Sequence, residues 1–163
     1  MKKRNKKYNP NKHAVNPNSA FEAINLVKPV RDDSKDRLAL DAHFALKTFT
    51  SGVANKAQFD VLAYTADMAM ILSKNLFENA HMEEITAARE GVIRCKDRFI
   101  DTGKFGFDGE GRNAVALVIE IFTEQLNHVT GAEVINFTKA RDNHIRSGNF
   151  YRGKEVRQMA AAA

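Results

Sequence analysis

Proline stops early in this chain. Pro10, Pro17 and Pro29 are its three prolines, so nothing after Val30 breaks a helix by fixing φ or removing a backbone N–H. Tryptophan is absent and cysteine occurs once, at Cys95, which excludes an intrachain disulfide and a disulfide-stapled scaffold. Long apolar runs are missing too: the most apolar stretch, residues 61–72, contains Asp67 and falls short of the roughly 18 residues a bilayer span requires. The start is basic and polar, without the apolar core of a secretory signal. Together these absences predict a protein of a reducing cytoplasm that spans no membrane.

What is present is unevenly charged. The net charge is +5, but residues 1–30 hold seven Lys or Arg against the single acid Glu22, a balance of +6. Residues 31–138 carry twelve bases and seventeen acids, and residues 139–163 six bases and two acids. Basic ends therefore flank an acidic body. At 163 residues, with 44% hydrophobic and 28% charged residues and eleven Phe, one ordinary globular core is expected.

Helical periodicity fills the body. Leu38, Ala42, Ala45, Leu46 and Phe49 share one face over 34–50, and Ser51-Gly52 supplies a stop. Residues 55–77 are apolar nearly all round, the pattern of a central helix. Ile85, Ala88, Val92, Cys95 and Phe99 make the next stripe, and Val115, Ile119, Phe122, Leu126 and Val129 another. Thr130 and Glu133 fit a capping box that opens a last helix running to Ser147-Gly148, and Ser19 with Glu22 fits another that opens a short docking turn. Residues 78–81 have no Gly or Pro, leaving open whether the second and third helices are continuous. The expected fold is all-α, a bundle of about five helices over 31–148. A basic, flexible arm with a docking turn precedes it over 1–30, and a loose basic tail follows over 149–163.

No set of residues in the sequence requires a chemical step. Glu120, Glu124 and His128 share a face, but the second Glu-x-x-His of a bundle metal site is missing, and Glu124 with His128 reads as a solvated pair. Cys95 lies on an apolar stripe, as a buried thiol does. The turn GKFGFDGEG follows a helix, lacks the Lys-Ser/Thr of a phosphate loop, and departs from a calcium loop at Gly103, Phe105 and Arg112. It reads as a connection whose Phe105 and Phe107 tuck under the bundle. The protein is accordingly expected to be no enzyme, with no catalytic residue, metal or cofactor, and to work by contact.

The arm is the first contact surface. Lys2, Lys3, Arg4, Lys6, Lys7 and Lys12 would neutralise phosphates with little sequence preference and steep salt dependence. Tyr8 would stack on unpaired bases, and Arg152 and Lys154 in the tail would add to the same nucleic-acid surface. The alternative is a solubilising or protein-docking arm on a body that binds a protein through Glu83, Glu84, Asp108 and Glu110. A spare apolar stripe would add a second copy of the chain as partner.

The run Arg98-Phe-Ile-Asp-Thr-Gly-Lys-Phe-Gly-Phe-Asp-Gly-Glu110, with a KKRNKKYNP start and a later helix containing Glu124-Gln-Leu, resembles a family of small helical proteins encoded by bacteriophages and mobile elements. Relatives have Arg and Trp where this chain has Lys104 and Phe105. The resemblance covers residues 1–140 and brings no activity or functional residue with it. It implies an accessory protein in the bacterial cytoplasm whose partner is nucleic acid or a host or anti-phage defence complex, in the manner of an anti-CRISPR protein.

Overall fold

The computed structural model describes Pro29, Val30 and residues 32–146. These form an all-α bundle of five helices: α1 Asp32–Thr50, α2 Lys56–Leu76, α3 Met82–Thr102, α4 Gly109–Leu126 and α5 Gly131–Arg146. The basic arm, the Ser19–Glu22 box and the tail lie outside the described residues.

Helix α2 is the hub. Its side chains are buried on nearly every side, with Leu62, Ala66, Met68, Ala69 and Leu72 wholly inaccessible, and it packs against each of the other four helices. Such a helix cannot be held by an amphipathic stripe alone, so its start is set by chemistry. Asn55 Oδ1 accepts from Ala57 N at 2.8 Å, while Gln58 Oε1 accepts from Asn55 N at 3.1 Å. This capping box satisfies N–H groups that the first turn leaves open.

The expected stripes form the core over most of their length, except that Phe99, placed on the α3 stripe by its spacing, is 39% exposed. Ala42, Ala45 and Phe49 of α1, Ile85, Ala88, Val92 and Cys95 of α3, and Val115, Ile119, Phe122 and Leu126 of α4 are buried together. Helices α1 and α3 end where the sequence provides a glycine exit. Gly52 and Gly103 take left-handed φ of 72° and 70°, conformations that cost a side-chain-bearing residue about 1–2 kcal/mol. The α2–α3 junction has no such glycine and breaks all the same: Glu78, Asn79 and His81 adopt φ of 49°, 65° and 57°. Ser73 O accepts N–H bonds from both Phe77 and Asn79, which turns the chain out of the helix.

Between α3 and α4 the glycine-rich connection lays its aromatic side chains into the bundle. Phe105 stacks on Phe99 with ring centroids 4.0 Å apart and on Phe59 at 5.2 Å, while Phe107 meets Phe49 at 4.7 Å. Helices α3 and α4 approach closely where Gly91 faces Gly111, since a Cβ built on Gly91 would stand 2.7 Å from Gly111 Cα. At the other end, Thr130 and Glu133 form the expected box, with Thr130 N donating to Glu133 Oε2 at 2.7 Å and Glu133 N to Thr130 Oγ1 at 3.3 Å. Val30 N donates to Val129 O at 3.1 Å, so the entry to the body is pinned beside the α4–α5 junction.

Candidate functional site

The residues expected to contact nucleic acid, Lys2, Lys3, Arg4, Lys6, Lys7, Tyr8, Lys12, Arg152 and Lys154, all lie outside the described residues. Of the four acids expected to face a protein, Glu83 and Glu84 occupy the first turn of α3, and Glu110 the first turn of α4. Asp108 is the N-cap of α4, its Oδ1 accepting from Gly111 N. Arg94 clamps the same carboxylate through Nε at 2.7 Å and Nη2 at 3.3 Å. The Arg94 hydrogen bond, followed by that of Gly111 N–H, holds the Asp108 carboxyl below its ordinary pKa of 3.8, and Asp108 in turn raises the pKa of Arg94. Arg94 stands eleven positions along α3 from Glu83, about 16 Å of helix rise. The four acids thus fall into two separate groups, one of them bound into a helix cap.

A second polar assembly lies inside the bundle. Asp67 of α2 is fully buried and bridges two helices, its Oδ1 accepting from Arg89 Nε of α3 at 3.2 Å and its Oδ2 from Arg141 Nε of α5 at 3.1 Å. Arg141 also covers the Tyr64 ring at 5.1 Å, and Tyr64 Oη and Thr138 Oγ1 are 3.0 Å apart. Clefts of 490 and 400 Å³ flank this end of α5, both bounded by Arg141 and Ile145. Their central cation is already engaged by Asp67, so the assembly is a clamp for α5.

A third feature differs in that a polar atom is left over. Gln125 in the last turn of α4 is 5% exposed. Its Nε2 donates to Ser73 Oγ at 2.8 Å and Ala69 O at 3.3 Å, and Ser73 Oγ donates to Ala80 O at 2.7 Å. That chain settles which way the amide points, because Ala69 O can only accept and the Ser73 proton is committed to Ala80. Gln125 Oε1 is then a buried side-chain acceptor without a partner among the described residues. Gln125 lines a 390 Å³ cleft with Phe77, Ala80, His81, Ile121 and His128, and Glu124 stands on the same wall.

The rim of this cleft contains the expected Glu124–His128 pair, with His128 Nε2 and Glu124 Oε1 3.2 Å apart. Asn127 Nδ2 donates to Glu124 Oε2 at 3.1 Å. His128, then Asn127, lower the Glu124 pKa below its ordinary value. Glu120 does not join them: it meets His43 of α1 at 3.5 Å. Among the described residues, no group of three or more His, Cys, Asp or Glu is arranged to hold a metal ion, and no helix is long and apolar enough to cross a membrane.

Comparison with known proteins adds no assignment. The chain matches no family model, no curated protein and no solved structure.

Neither buried assembly was legible beforehand. Asp67 stood out in the sequence only as a charge within an apolar run, and its two arginines lie 22 and 74 positions away. The Gln125 cleft had one local signal, the Glu124–His128 spacing, which marks its rim and not the amide inside.

Proposed function

We propose that this chain is a non-enzymatic accessory protein of a bacteriophage or mobile element that acts by binding in the bacterial cytoplasm. Its main partner is nucleic acid, held through the basic N-terminal segment and assisted by Arg152 and Lys154. The observation that carries this reading is the separation of charge: +6 over residues 1–30 against −5 over residues 31–138. The fold adds to it, because four cations of the body are held by the body's own acids. Arg89 and Arg141 are engaged by Asp67, Arg94 by Asp108 and Lys56 by Asp60.

Fluorescence anisotropy with random-sequence DNA and RNA tests the reading. Six phosphate contacts give a log–log salt slope of about −5, and deletion of residues 2–12 should abolish most of the binding while leaving the helical circular dichroism intact. Binding that is flat with salt, or unchanged by the deletion, overturns it.

A protein-binding inhibitor or regulator of a host or anti-phage defence complex is the second reading, and one observation favours it. Leu40 and Phe44, one turn apart on the outer side of α1, are 68% and 61% exposed. Exposed apolar side chains grouped in this way mark contact surfaces, including contact with a second copy of the chain. Affinity capture from the host with and without nuclease separates the two readings: a partner retained after nuclease treatment favours the protein target. Loss of that capture on charge reversal at Glu83, Glu84 and Glu110 would assign the acidic faces to it.

A further inference from the structure

We propose that the 490 Å³ cleft beside the end of α5 is the seat of this chain's own C-terminal segment, with the Phe150 ring entering between Leu38, Val61 and Tyr64 and Arg152 pairing with Asp41. Its test needs no nucleic acid, so this inference and the nucleic-acid reading can fail separately.

The cleft is apolar where a ring would lie. Leu38, Val61 and Tyr64 are half-buried and Ile145 is 39% exposed, so each offers surface to an entering group. Its free charge is acidic: Asp41 and Asp60 stand on the wall, while Arg141, the base that lines it, is already engaged by Asp67. Lys56 pairs with Asp60. The carboxylate of Asp41, by contrast, is exposed and takes no hydrogen bond or ion pair among the described residues. An unpaired carboxylate beside an apolar hollow fits a segment that presents an aromatic ring and a cation together.

The sequence supplies such a segment at the right place. Ile145, next to the last residue of α5, borders the cleft, and residues 147–163 follow that helix. Phe150 is five positions beyond Ile145, a reach of at most about 17 Å, and Ser147, Gly148 and Asn149 between them are residue types that favour a chain reversal. In extended backbone alternate side chains share a side, so Phe150 and Arg152 would face the cleft together and Tyr151 would face away. Residues 147–163 carry three bases against the single acid Glu155, the complement of the cleft. The neighbouring 400 Å³ cleft fits less well, because Lys56 and Lys96 line it and would repel Arg152. With Arg152 seated on Asp41, that cation is withheld from phosphate until the segment is released.

NMR of the full chain with labelled Leu, Val and Ile methyl groups tests the docking. Nuclear Overhauser effects are expected from the Phe150 ring to methyl groups of Leu38, Val61 and Ile145, and Phe150→Ala should abolish them and move the same methyl resonances. Asp41→Lys should lower the ratio of seated to released segment about two- to fivefold, the worth of an exposed ion pair. Asp41→Arg combined with Arg152→Asp should restore the native ratio, which a merely local effect of either change would not do. Because Asp41 is exposed and Arg152 follows the last helix, the helical circular dichroism should be unchanged in every variant.

Absence of Overhauser effects between Phe150 and these methyl groups, or methyl resonances that ignore Phe150→Ala, would overturn the proposal and leave the cleft to a partner molecule. Contacts of Phe150 with Ile100 in their place would overturn the choice of cleft. A charge exchange that restores nothing would overturn the pairing of Arg152 with Asp41. The remaining occupant is the tail of a second copy, and a mixture of methyl-labelled chains with chains labelled only in phenylalanine detects it: Overhauser effects between the two kinds of chain would overturn docking within one chain.

Discussion

Arg141 reaches across 74 positions of sequence to place its Nε 3.1 Å from Oδ2 of Asp67, a carboxylate with no access to solvent. Helix α5 packs chiefly on α2, so this bond, together with the one between Tyr64 and Thr138, decides where the last helix sits. Removing the buried carboxylate takes from both arginines the acceptor they share inside the bundle, and losing one partner of a buried ion pair costs about 3–5 kcal/mol. Asp67→Ala should lower the unfolding free energy by that amount in urea titrations. Replacing Asp67, Arg89 and Arg141 together by Leu, Leu and Met should recover most of the loss, because an apolar substitute removes the desolvation problem itself.

The contact between Gly91 and Gly111 makes a second, sharper comparison. A methyl group on Gly91 would stand 2.7 Å from Gly111 Cα, and backbone cannot rotate away as a side chain does. Gly91→Ala should force α3 and α4 apart and cost about 1–3 kcal/mol, the range for overpacking a filled interior. Gly109 lies two residues from Gly111, and a methyl group there meets nothing within 4 Å. Gly109→Ala should leave stability unchanged or raise it by up to about 1 kcal/mol through the unfolded chain. Parallel thermal melts of the two variants check the pair.

The parts of this fold that could be read in the sequence are those determined within one or two helical turns. The stripe through Ile85, Ala88, Val92 and Cys95, the Thr130–Glu133 box and the glycine stop at Gly103 each depend on near neighbours, and each appears as expected. The first helix begins at Asp32, two residues earlier than the Ser34 start, a difference within the ordinary fraying of helix ends. Residues 78–81 were ambiguous for a physical reason: no Gly or Pro announces the left-handed residues Glu78, Asn79 and His81, which are held by the chain's return to Ser73 and Gln125. Asp67 and Gln125 were illegible for the same reason, since partners drawn from other helices leave no local spacing to find. Asp108 is the intermediate case: its position before a helix is a capping signal, but the sequence alone did not separate that role from a surface acid.

Asp108 accordingly carries a prediction with a defined pH dependence. Its carboxyl is held below the ordinary value by Arg94 and by Gly111 N–H, so the folded state binds that proton less readily than the unfolded chain. The stability it contributes is present above the unfolded value of 3.8 and is lost as pH falls through the lower, folded value. Asp108→Ala should cost about 0.5–2 kcal/mol at neutral pH as a lost N-cap. Asp108→Asn keeps an acceptor for Gly111 N but not the ionised partner of Arg94, so it should fall between the two at pH 7. The gap between the native chain and the Asn variant should narrow as urea titrations move below about pH 4. A gap that stays constant with pH would show that Arg94 gains nothing from the charge.

Cys95 sends the opposite signal at the other end of the pH scale. It is buried in the α3 stripe, and desolvation pushes its thiol up from an ordinary 9.0 to about 11. The unfolded chain therefore loses its proton at a pH where the folded chain retains it. Stability falls as pH rises through this window, by about 1.4 kcal/mol per pH unit between the two values. Cys95→Ala lacks the titration and should show a shallower alkaline decline, although it starts from a lower stability at neutral pH because it leaves a small cavity. At pH 8 the native thiol should react with a disulfide reagent only as fast as the helix opens, and urea below the unfolding midpoint should accelerate labelling in step with the unfolded population. Rapid, urea-independent labelling would mean that Cys95 is reachable in the folded protein and that the α3 stripe is not closed over it.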